Sequence, residues 1–458
     1  MRLTRTSRHP QDYSLPPVEA APQEWAQRIA AAAPVEPLNG DSADGDTPLP
    51  AETRWSMPPR ARTEPETASA TDANPEQIVT GILERAVRDR ASDVHLEPTA
   101  DGMRVRVRAD GVLHRISSLP GPMGAEIVSR IKNLSEMNIA ERRQPQHGRM
   151  TIAIDGQDRD LRVTTAPTAF GEKCVMRIFD TTRAVIELPA LGMAPETYDR
   201  YAGLIRSPSG MLICAGPPRS GKTTTMYATL GAIDHDEINV VTIEDPIECV
   251  FPTFNQIQVD EPAGLTYING LRTVLHQDPD VILVGEIHDV ETARIAAQAA
   301  LAGRFVLSSL HATDATSALH RLMDMGIESF LIASSLLGLV GQRLVRRVCE
   351  VCAGPYAPTP VERSFFERAG GNPDKRDFVL GSGCNVCHGT GYSGCVGIYE
   401  LLVVTDEMKE FIVGDAPHSA LRALAVEQGM TTLRDQTLRL VAANETTIAE
   451  AMRTVHGP

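Results

Sequence analysis

The feature that most constrains this chain is a glycine-rich segment, residues 216–223, which reads Gly-Pro-Pro-Arg-Ser-Gly-Lys-Thr and directly follows the apolar run 211–215. Its two glycines, lysine and threonine have the spacing of a phosphate-binding loop placed between a strand and a helix. In such a loop backbone amides surround the phosphates, the lysine reaches the terminal phosphates and the threonine hydroxyl is offered to Mg²⁺. The sequence therefore predicts a site for ATP and Mg²⁺ formed by the loop and the residue after it: Gly216, Pro217, Pro218, Arg219, Ser220, Gly221, Lys222, Thr223 and Thr224.

Four short apolar runs predict the sheet that carries this loop. They are residues 211–215, 238–243, 281–284 and 305–310, and helical segments separate them. This alternation is typical of a buried parallel sheet with crossover helices. Ligands of such sheets bind beyond the carboxyl ends of the strands, so the residues after each run are the candidates for chemistry.

Four polar residues follow these runs and are predicted to share one edge of the sheet. Glu286 is placed to polarise a water or to bind Mg²⁺ through water. Glu244 and Glu248 add carboxylates after the run 238–243, and His311 follows the last run, placed to sense the γ-phosphate or orient water. Helix capping is the alternative for any one carboxylate, and a structural role is the alternative for the histidine.

The residues before the parallel sheet predict a smaller α+β domain that ends near residue 185. Asn74 and Pro75 have the composition of a helix N-terminus, and apolar residues then repeat at helical spacing. The segment 104–116 alternates around Asp-Gly as a β-hairpin does. A helix over about 127–139 and strands at 150–154 and 161–165 complete the predicted domain.

The first 74 residues are predicted to be disordered. They contain eleven prolines among scattered Asp, Glu, Ser and Ala, and such a composition buries too little apolar area to offset the entropy of ordering. One stretch, which places Trp25 and Ile29 on one side of a short helix, is either a docking motif or a transient helix without a partner.

Two Cys-x-x-Cys pairs predict a structural metal module. Cys349 and Cys352 form one pair and Cys384 and Cys387 the other. Two such turns converge four thiolates on one tetrahedral ion and leave no open coordination position, which is typical of structural Zn²⁺. A redox pair is the weaker alternative.

The charge and hydropathy of the chain argue against a nucleic-acid-binding protein and against a membrane-spanning or secreted one. The formal net charge is -15, which argues against a surface that binds nucleic acid, because that affinity comes from clustered lysine and arginine. No run of about 18 apolar residues and no N-terminal signal are visible, so a cytosolic protein is predicted.

Several longer motifs resemble the secretion ATPase superfamily, the motors of type II secretion and type IV pilus assembly. Residues 242–248, 271–287 and 307–311 look like its aspartate, Walker B and histidine boxes. Residues 91–98, 139–149 and 167–173 extend the resemblance from about residue 78 to the C-terminus.

The resemblance implies a specific architecture. It implies a PAS-like α+β N-terminal domain over 75–185 and a RecA-like P-loop ATPase domain over 194–458. The tetracysteine zinc module at 349–395 lies within the latter. It also implies a homohexamer in which Arg162 and Arg177 swing onto the phosphates as the domains close.

The same resemblance implies the partners and the location. The tetracysteine insert is similar to that of the secretion and pilus-assembly branch and is absent from the retraction branch. We expect inner-membrane platform proteins and cytosolic-facing adaptor proteins as partners, no nucleic acid, and a cytoplasmic location peripheral to the inner membrane.

Three departures from the family pattern stand out. Pro218 and Arg219 replace the usual Thr-Gly of the loop, and His288 and Arg304 replace an arginine and a histidine. We expect residues 1–74 to stand in place of the folded first domain with which many members dock on their membrane partner.

Three functional hypotheses remain from the sequence. The leading one is a hexameric ATPase that powers pseudopilus or pilus assembly through an inner-membrane partner. The others are an ATP-gated scaffold that does not hydrolyse ATP and a motor related to DNA uptake or conjugation.

Overall fold

The structure is a computed structural model that describes residues 74–154, 156–179 and 186–455. These residues belong to one compact unit. The predicted disorder of residues 1–74 and the predicted Trp25 helix lie outside the described residues, apart from Asn74. None of the described helices is long and apolar enough to cross a membrane.

The N-terminal part is a six-stranded antiparallel sheet with two helices. The strands lie in the order β3-β2-β1-β6-β5-β4. The bounds are α1 (Pro75–Arg88), β1 (Asp93–Thr99), β2 (Gly102–Ala109), β3 (Val112–Leu119), α2 (Gly121–Leu134), β4 (Gln146–Ile154), β5 (Gln157–Thr168) and β6 (Gly171–Phe179). The predicted hairpin is β2-β3, so that prediction is confirmed.

Helix α1 begins where the sequence predicts and α2 does not. The Asn74 side chain accepts a hydrogen bond from the backbone N–H of Glu76, and Pro75 occupies the first turn. The predicted second helix over about 127–139 was wrong at both ends, because α2 begins at Gly121 and ends at Leu134. It stops because Glu136 has a left-handed backbone with φ 59°, which no helix continues.

The larger part is a seven-stranded sheet, parallel except for one edge strand. Its order is β15-β12-β7-β11-β10-β8-β9, and β15 alone runs antiparallel to its neighbour. All four predicted strands are present: β7 (Gly210–Ala215), β8 (Val240–Glu244), β10 (Val281–Val284) and β11 (Phe305–Leu310). The remaining strands are β9 (Asn255–Gln258), β12 (Leu336–Val348) and β15 (Tyr392–Val403).

Helices cover both faces of this sheet and bury its four central strands completely. Every residue of β7, β8, β10 and β11 is buried, which explains their continuous apolar character. The helices are α3 (Pro195–Leu204), α4 (Lys222–Leu230), α5 (Tyr267–Val274), α6 (Val290–Leu301), α7 (Ala315–Asp324), α8 (Ser329–Ser335), α9 (Pro360–Arg368), α10 (Asp406–Val413), α11 (His418–Glu427), α12 (Leu433–Ala442) and α13 (Ile448–Val455). Strands β13 (Ala353–Tyr356) and β14 (Phe378–Gly381) form a separate two-stranded sheet.

Candidate nucleotide-binding site and metal centre

The glycine-rich loop connects β7 to α4 as the sequence predicts. Helix α4 begins at Lys222, and Gly221 precedes it with φ 89°. A Cβ at Gly216 would lie 2.6 Å from the backbone oxygen of Gln342, so only glycine fits there. Pro217, Ser220 and Thr224 complete the loop and the first helical turn. The backbone of this segment therefore has the strand, loop and helix context in which helix N-termini bind phosphate.

Lys222 contacts the loop and the end of the next strand. Its Nζ donates to the Gly216 carbonyl oxygen at 3.1 Å and lies 3.2 Å from Nδ1 of His311. Burial lowers the pKa of Lys222, and the Glu286 carboxylate opposes that shift. The predicted lysine and histidine are thus brought together at the carboxyl ends of β7 and β11.

Glu286 lies between two histidines at the same edge. Its Oε1 is 2.8 Å from Nε2 of His311, and its Oε2 is 3.3 Å from Nε2 of His288. Lys222, His311 and Glu286 therefore form a continuous polar chain. This geometry places a carboxylate opposite the loop lysine, as the sequence predicts.

Glu244 also reaches this edge, but protein donors occupy its carboxylate. Its Oε2 accepts from the Tyr227 hydroxyl at 2.5 Å, and its Oε1 accepts from Thr242 at 2.6 Å and from Gln256 at 3.3 Å. Its exposed fraction is 3%. A carboxylate held in this way is suited to position β8 and less suited than Glu286 to polarise a water.

Glu248 faces Thr223, the residue predicted to bind Mg²⁺. Burial, followed by the charge of Glu244, raises its pKa, while the Arg177 charge and a hydrogen bond with the Thr223 hydroxyl oppose the rise. Glu248 is thus within reach of both the loop threonine and an arginine of the N-terminal sheet. The site therefore combines the carboxylates of Glu286 and Glu248 with the ammonium group of Lys222.

A row of charged side chains crosses the N-terminal sheet and includes both predicted arginines. Directly opposed residues of antiparallel strands share one face. The registers place five residues side by side across five strands: Arg108, Asp93, Arg177, Arg162 and Arg149. Sequence reasoning found Arg162 and Arg177 but missed the other three, which strand pairing alone brings together.

This row faces the parallel sheet. Burial, followed by Arg149, lowers the pKa of Arg162, and the Asp245 carboxylate from the end of β8 opposes that shift. Asp93 contacts the phosphate loop itself, because Arg219 Nη2 lies 3.1 and 3.0 Å from its two oxygens. The N-terminal sheet thus supplies cationic groups to the edge where the carboxylates lie.

The four predicted cysteines form one cluster. Their Sγ atoms lie within 4.8 Å of one another. Three of the separations are 3.8, 3.7 and 3.7 Å. A Zn–S bond of about 2.3 Å in tetrahedral geometry requires sulfur atoms about 3.8 Å apart, so the donor set fits zinc.

The environment of the cluster favours thiolate at one position. Although burial alone would raise the pKa of Cys387, backbone N–H groups of Cys384 and Gly391 outweigh it and lower that pKa to about 6. Thiolate is the form that binds metal. Cys395 lies outside the cluster, and burial raises its pKa to about 12.

The tetracysteine module contacts the N-terminal part of the chain. Nε2 of His388 lies 3.2 Å from Asp89 Oδ1, and the backbone N–H of Gly394 donates to Asp110 Oδ2 at 2.9 Å. The module therefore contacts the C-terminal end of helix α1 and the β2-β3 turn.

The fold and these sites define an α/β protein with a glycine-rich phosphate-binding loop and a tetracysteine metal module. Within that class the chain belongs to the family described as Type II/IV secretion system protein, whose model matches residues 68–453. The resemblance seen in the sequence motifs is confirmed.

Curated relatives support the same family. The chain is 42% identical over 377 residues to the Type II secretion system protein HxcR of Pseudomonas aeruginosa, covering 82% of this chain and 76% of that protein. It is 40% identical over 395 residues to the Type IV pilus assembly ATPase TfpB of Acinetobacter baylyi, and the match covers 84% of this chain and 66% of that protein.

A solved structure shares the fold. The ATPase DotB of Legionella pneumophila superposes with a TM-score of 0.62 at 18% identity and covers 86% of this chain and 98% of that one. At this identity the likeness supports the fold alone.

Proposed function

We propose that this protein hydrolyses ATP and converts the closure of its N-terminal domain over the nucleotide into movement of a membrane partner. This movement drives pseudopilus or pilus assembly. The observation that carries the proposal is the meeting of Lys222, Glu286 and Glu248 at one sheet edge, with the arginine row of the N-terminal sheet facing it. Such a set supplies phosphate binding, a polarising carboxylate and cations that stabilise transition-state charge.

Each residue has a proposed role in this reaction. Lys222 and the loop amides hold the phosphates of ATP, and Thr223 with Glu248 holds Mg²⁺, directly or through water. Glu286 polarises the attacking water, and His311 orients it or senses the γ-phosphate. Glu244 is a positioning residue for this edge. Arg162 and Arg177 neutralise the developing charge when the domains close.

The finer architecture is part of the same proposal. We assign a PAS-like domain to residues 75–185 and a RecA-like domain to residues 194–458, as the family resemblance implies. The separate hydrophobic cores that lie against the two large sheets support a division into two domains. Cys349, Cys352, Cys384 and Cys387 hold a structural Zn²⁺ ion within the module at 349–395. Six copies form a ring. The ring acts at the cytoplasmic side of the inner membrane through a platform protein and adaptor proteins.

Steady-state ATP turnover of the purified protein tests the proposal. We expect Mg²⁺-dependent phosphate release, and we expect Lys222→Ala to abolish both nucleotide binding and turnover. Glu196→Gln, at an exposed residue of α3, is the matched control and retains both activities. Nucleotide binding without turnover, even with the membrane partner added, would leave the non-hydrolysing scaffold as the function. Salt-sensitive DNA binding would favour the DNA-related motor.

A further inference from the structure

The phosphate loop contains an arginine in a backbone conformation that glycine usually provides. Arg219 has φ 65°, in the left-handed region. Pro218 precedes it, and the Ser220 N–H donates to the Pro217 carbonyl at 3.2 Å, which closes a tight turn. A turn with proline second and a positive φ third favours glycine or asparagine at the third position. A side chain retained there at a conformational cost indicates that the side chain itself has a use.

The Arg219 side chain reaches out of the loop to a buried carboxylate. Its Nη2 lies 3.1 Å from Oδ1 and 3.0 Å from Oδ2 of Asp93, whose exposed fraction is 1%. The Arg219 side chain as a whole remains 42% exposed. One face of Arg219 is thus paired with the N-terminal sheet while the rest remains accessible beside the phosphate loop.

Asp93 is shared by more cations than it can neutralise. Arg177 Nε lies 3.1 Å from Oδ1, and Arg108 Nε lies 4.0 Å from Oδ2. Three guanidinium groups therefore surround one carboxylate. Burial, followed by nearness to Arg219, lowers the pKa of Arg108, which indicates that these cations repel one another. The surplus positive charge adjoins the loop and is matched to an anion such as a terminal phosphate.

We propose that Arg219 is a further phosphate-contacting residue of the nucleotide site, selective for the terminal phosphate of ATP. In this proposal Asp93 is a positioning residue whose carboxylate competes with that phosphate for the Arg219 guanidinium. The inference rests on the proposed function, since it requires a nucleotide in the loop. It adds a cation from the loop itself to Arg162 and Arg177 of the N-terminal sheet.

Two substitutions of Arg219 separate the charge from the backbone. Arg219→Gly restores the residue that the turn favours, and Arg219→Asn removes the guanidinium while tolerating the left-handed backbone. We expect both to weaken binding of a non-hydrolysable ATP analogue at least tenfold and binding of fluorescent ADP less than threefold, each with Mg²⁺. Arg347→Ala is the control. It removes an exposed ion pair between Arg347 of β12 and Glu445, and it should bind both nucleotides normally.

The role of Asp93 has its own readout. Removal of the competing charge in Asp93→Asn should strengthen binding of the ATP analogue at least threefold in the native background. The double variant Asp93→Asn/Arg219→Asn should bind the analogue as Arg219→Asn does, because the gain requires the guanidinium. A KM for ATP that falls in Asp93→Asn without a matching change in kcat would distinguish this role from a structural one.

The outcomes separate this inference from the proposed function. Failure of the native protein to bind any nucleotide would overturn both. Normal binding by the native protein together with unchanged analogue and ADP affinities in both Arg219 variants would overturn the role of Arg219 alone. An equal gain from Asp93→Asn with and without Arg219 would overturn the competition. ADP binding confirms that each variant is folded, and the Arg219 pair decides the main claim should Asp93→Asn fail to fold.

Discussion

Replacement of Tyr227 by phenylalanine should destabilise the protein without removing a catalytic group. The Tyr227 hydroxyl donates to Glu244 at 2.5 Å and accepts from the backbone N–H of Glu248 at 3.3 Å. Burial, followed by the Glu244 charge, raises the pKa of Tyr227 well above its usual range, so the hydroxyl stays protonated and donates. Tyr227→Phe leaves a buried carboxylate oxygen without this donor.

The expected cost follows from the burial of both partners. Tyr227 is 6% exposed and Glu244 is 3% exposed, so water cannot readily replace the lost hydrogen bond. A hydrogen bond to a charged group contributes about 1.5–3 kcal/mol, and the second, weaker contact adds to this. We therefore expect the free energy of unfolding to fall by about 2–3 kcal/mol.

Urea unfolding followed by circular dichroism measures this change. Tyr198→Phe, at a half-buried tyrosine of α3, is the matched control and should change the free energy of unfolding by less than about 0.5 kcal/mol. A Tyr227→Phe protein as stable as the native one would refute the positioning role of Glu244. Native stability combined with a large loss of turnover would point instead to Glu244 as the residue that polarises water.

Three further outcomes are expected. Gly216→Ala should lower the free energy of unfolding by about 1–3 kcal/mol and weaken ATP binding, because the added methyl group would lie 2.6 Å from the Gln342 backbone oxygen. Urea unfolding and nucleotide titration measure the two effects, and native values in both would contradict the prediction. Removal of metal by a chelator, or the substitution Cys352→Ser, should make residues 349–395 sensitive to limited proteolysis. Metal analysis of the untreated protein should find about one zinc ion per chain, and an unchanged digest after metal removal would contradict a structural ion. The Ser92 hydroxyl, Arg219 and Arg177 outweigh burial and hold the pKa of Asp93 below its usual 3.8, so its ionised form stabilises the fold above that pH. The loss of unfolding free energy in Asp93→Asn should therefore stay constant from about pH 7 to 5 and become smaller in more acidic buffer. A loss that grows as the pH falls would contradict the lowered pKa.

The parallel strands were predictable because their signal is local. Residues 281–284 and 305–310 are continuous apolar runs, and a strand buried on both faces requires this whatever its neighbours are. The loop and its lysine were predictable for a similar reason, since one short segment contains both. The start of α1 was predictable from neighbouring residues of the sequence, among them Asn74 and Pro75.

The arginine row could not be predicted in the same way. Arg108, Arg162 and Arg149 share one face only because four separate pairs of antiparallel strands have particular registers, and register is a long-range property. The hydrogen bonds that Glu244 accepts could not be predicted either, because its donors Tyr227 and Gln256 come from other elements. Local patterns therefore found which residues reach the edge but not which of them already have protein partners.

Binding and hydrolysis of ATP by Glu286→Gln test the central claim most directly. The claim is that Glu286 faces the phosphates held by Lys222 and polarises the attacking water. The variant should bind ATP with Mg²⁺ as the native protein does, while its single-turnover rate falls by about 10²–10⁴-fold, as expected on loss of a general base. Equal rates of hydrolysis in the variant and the native protein would contradict the account.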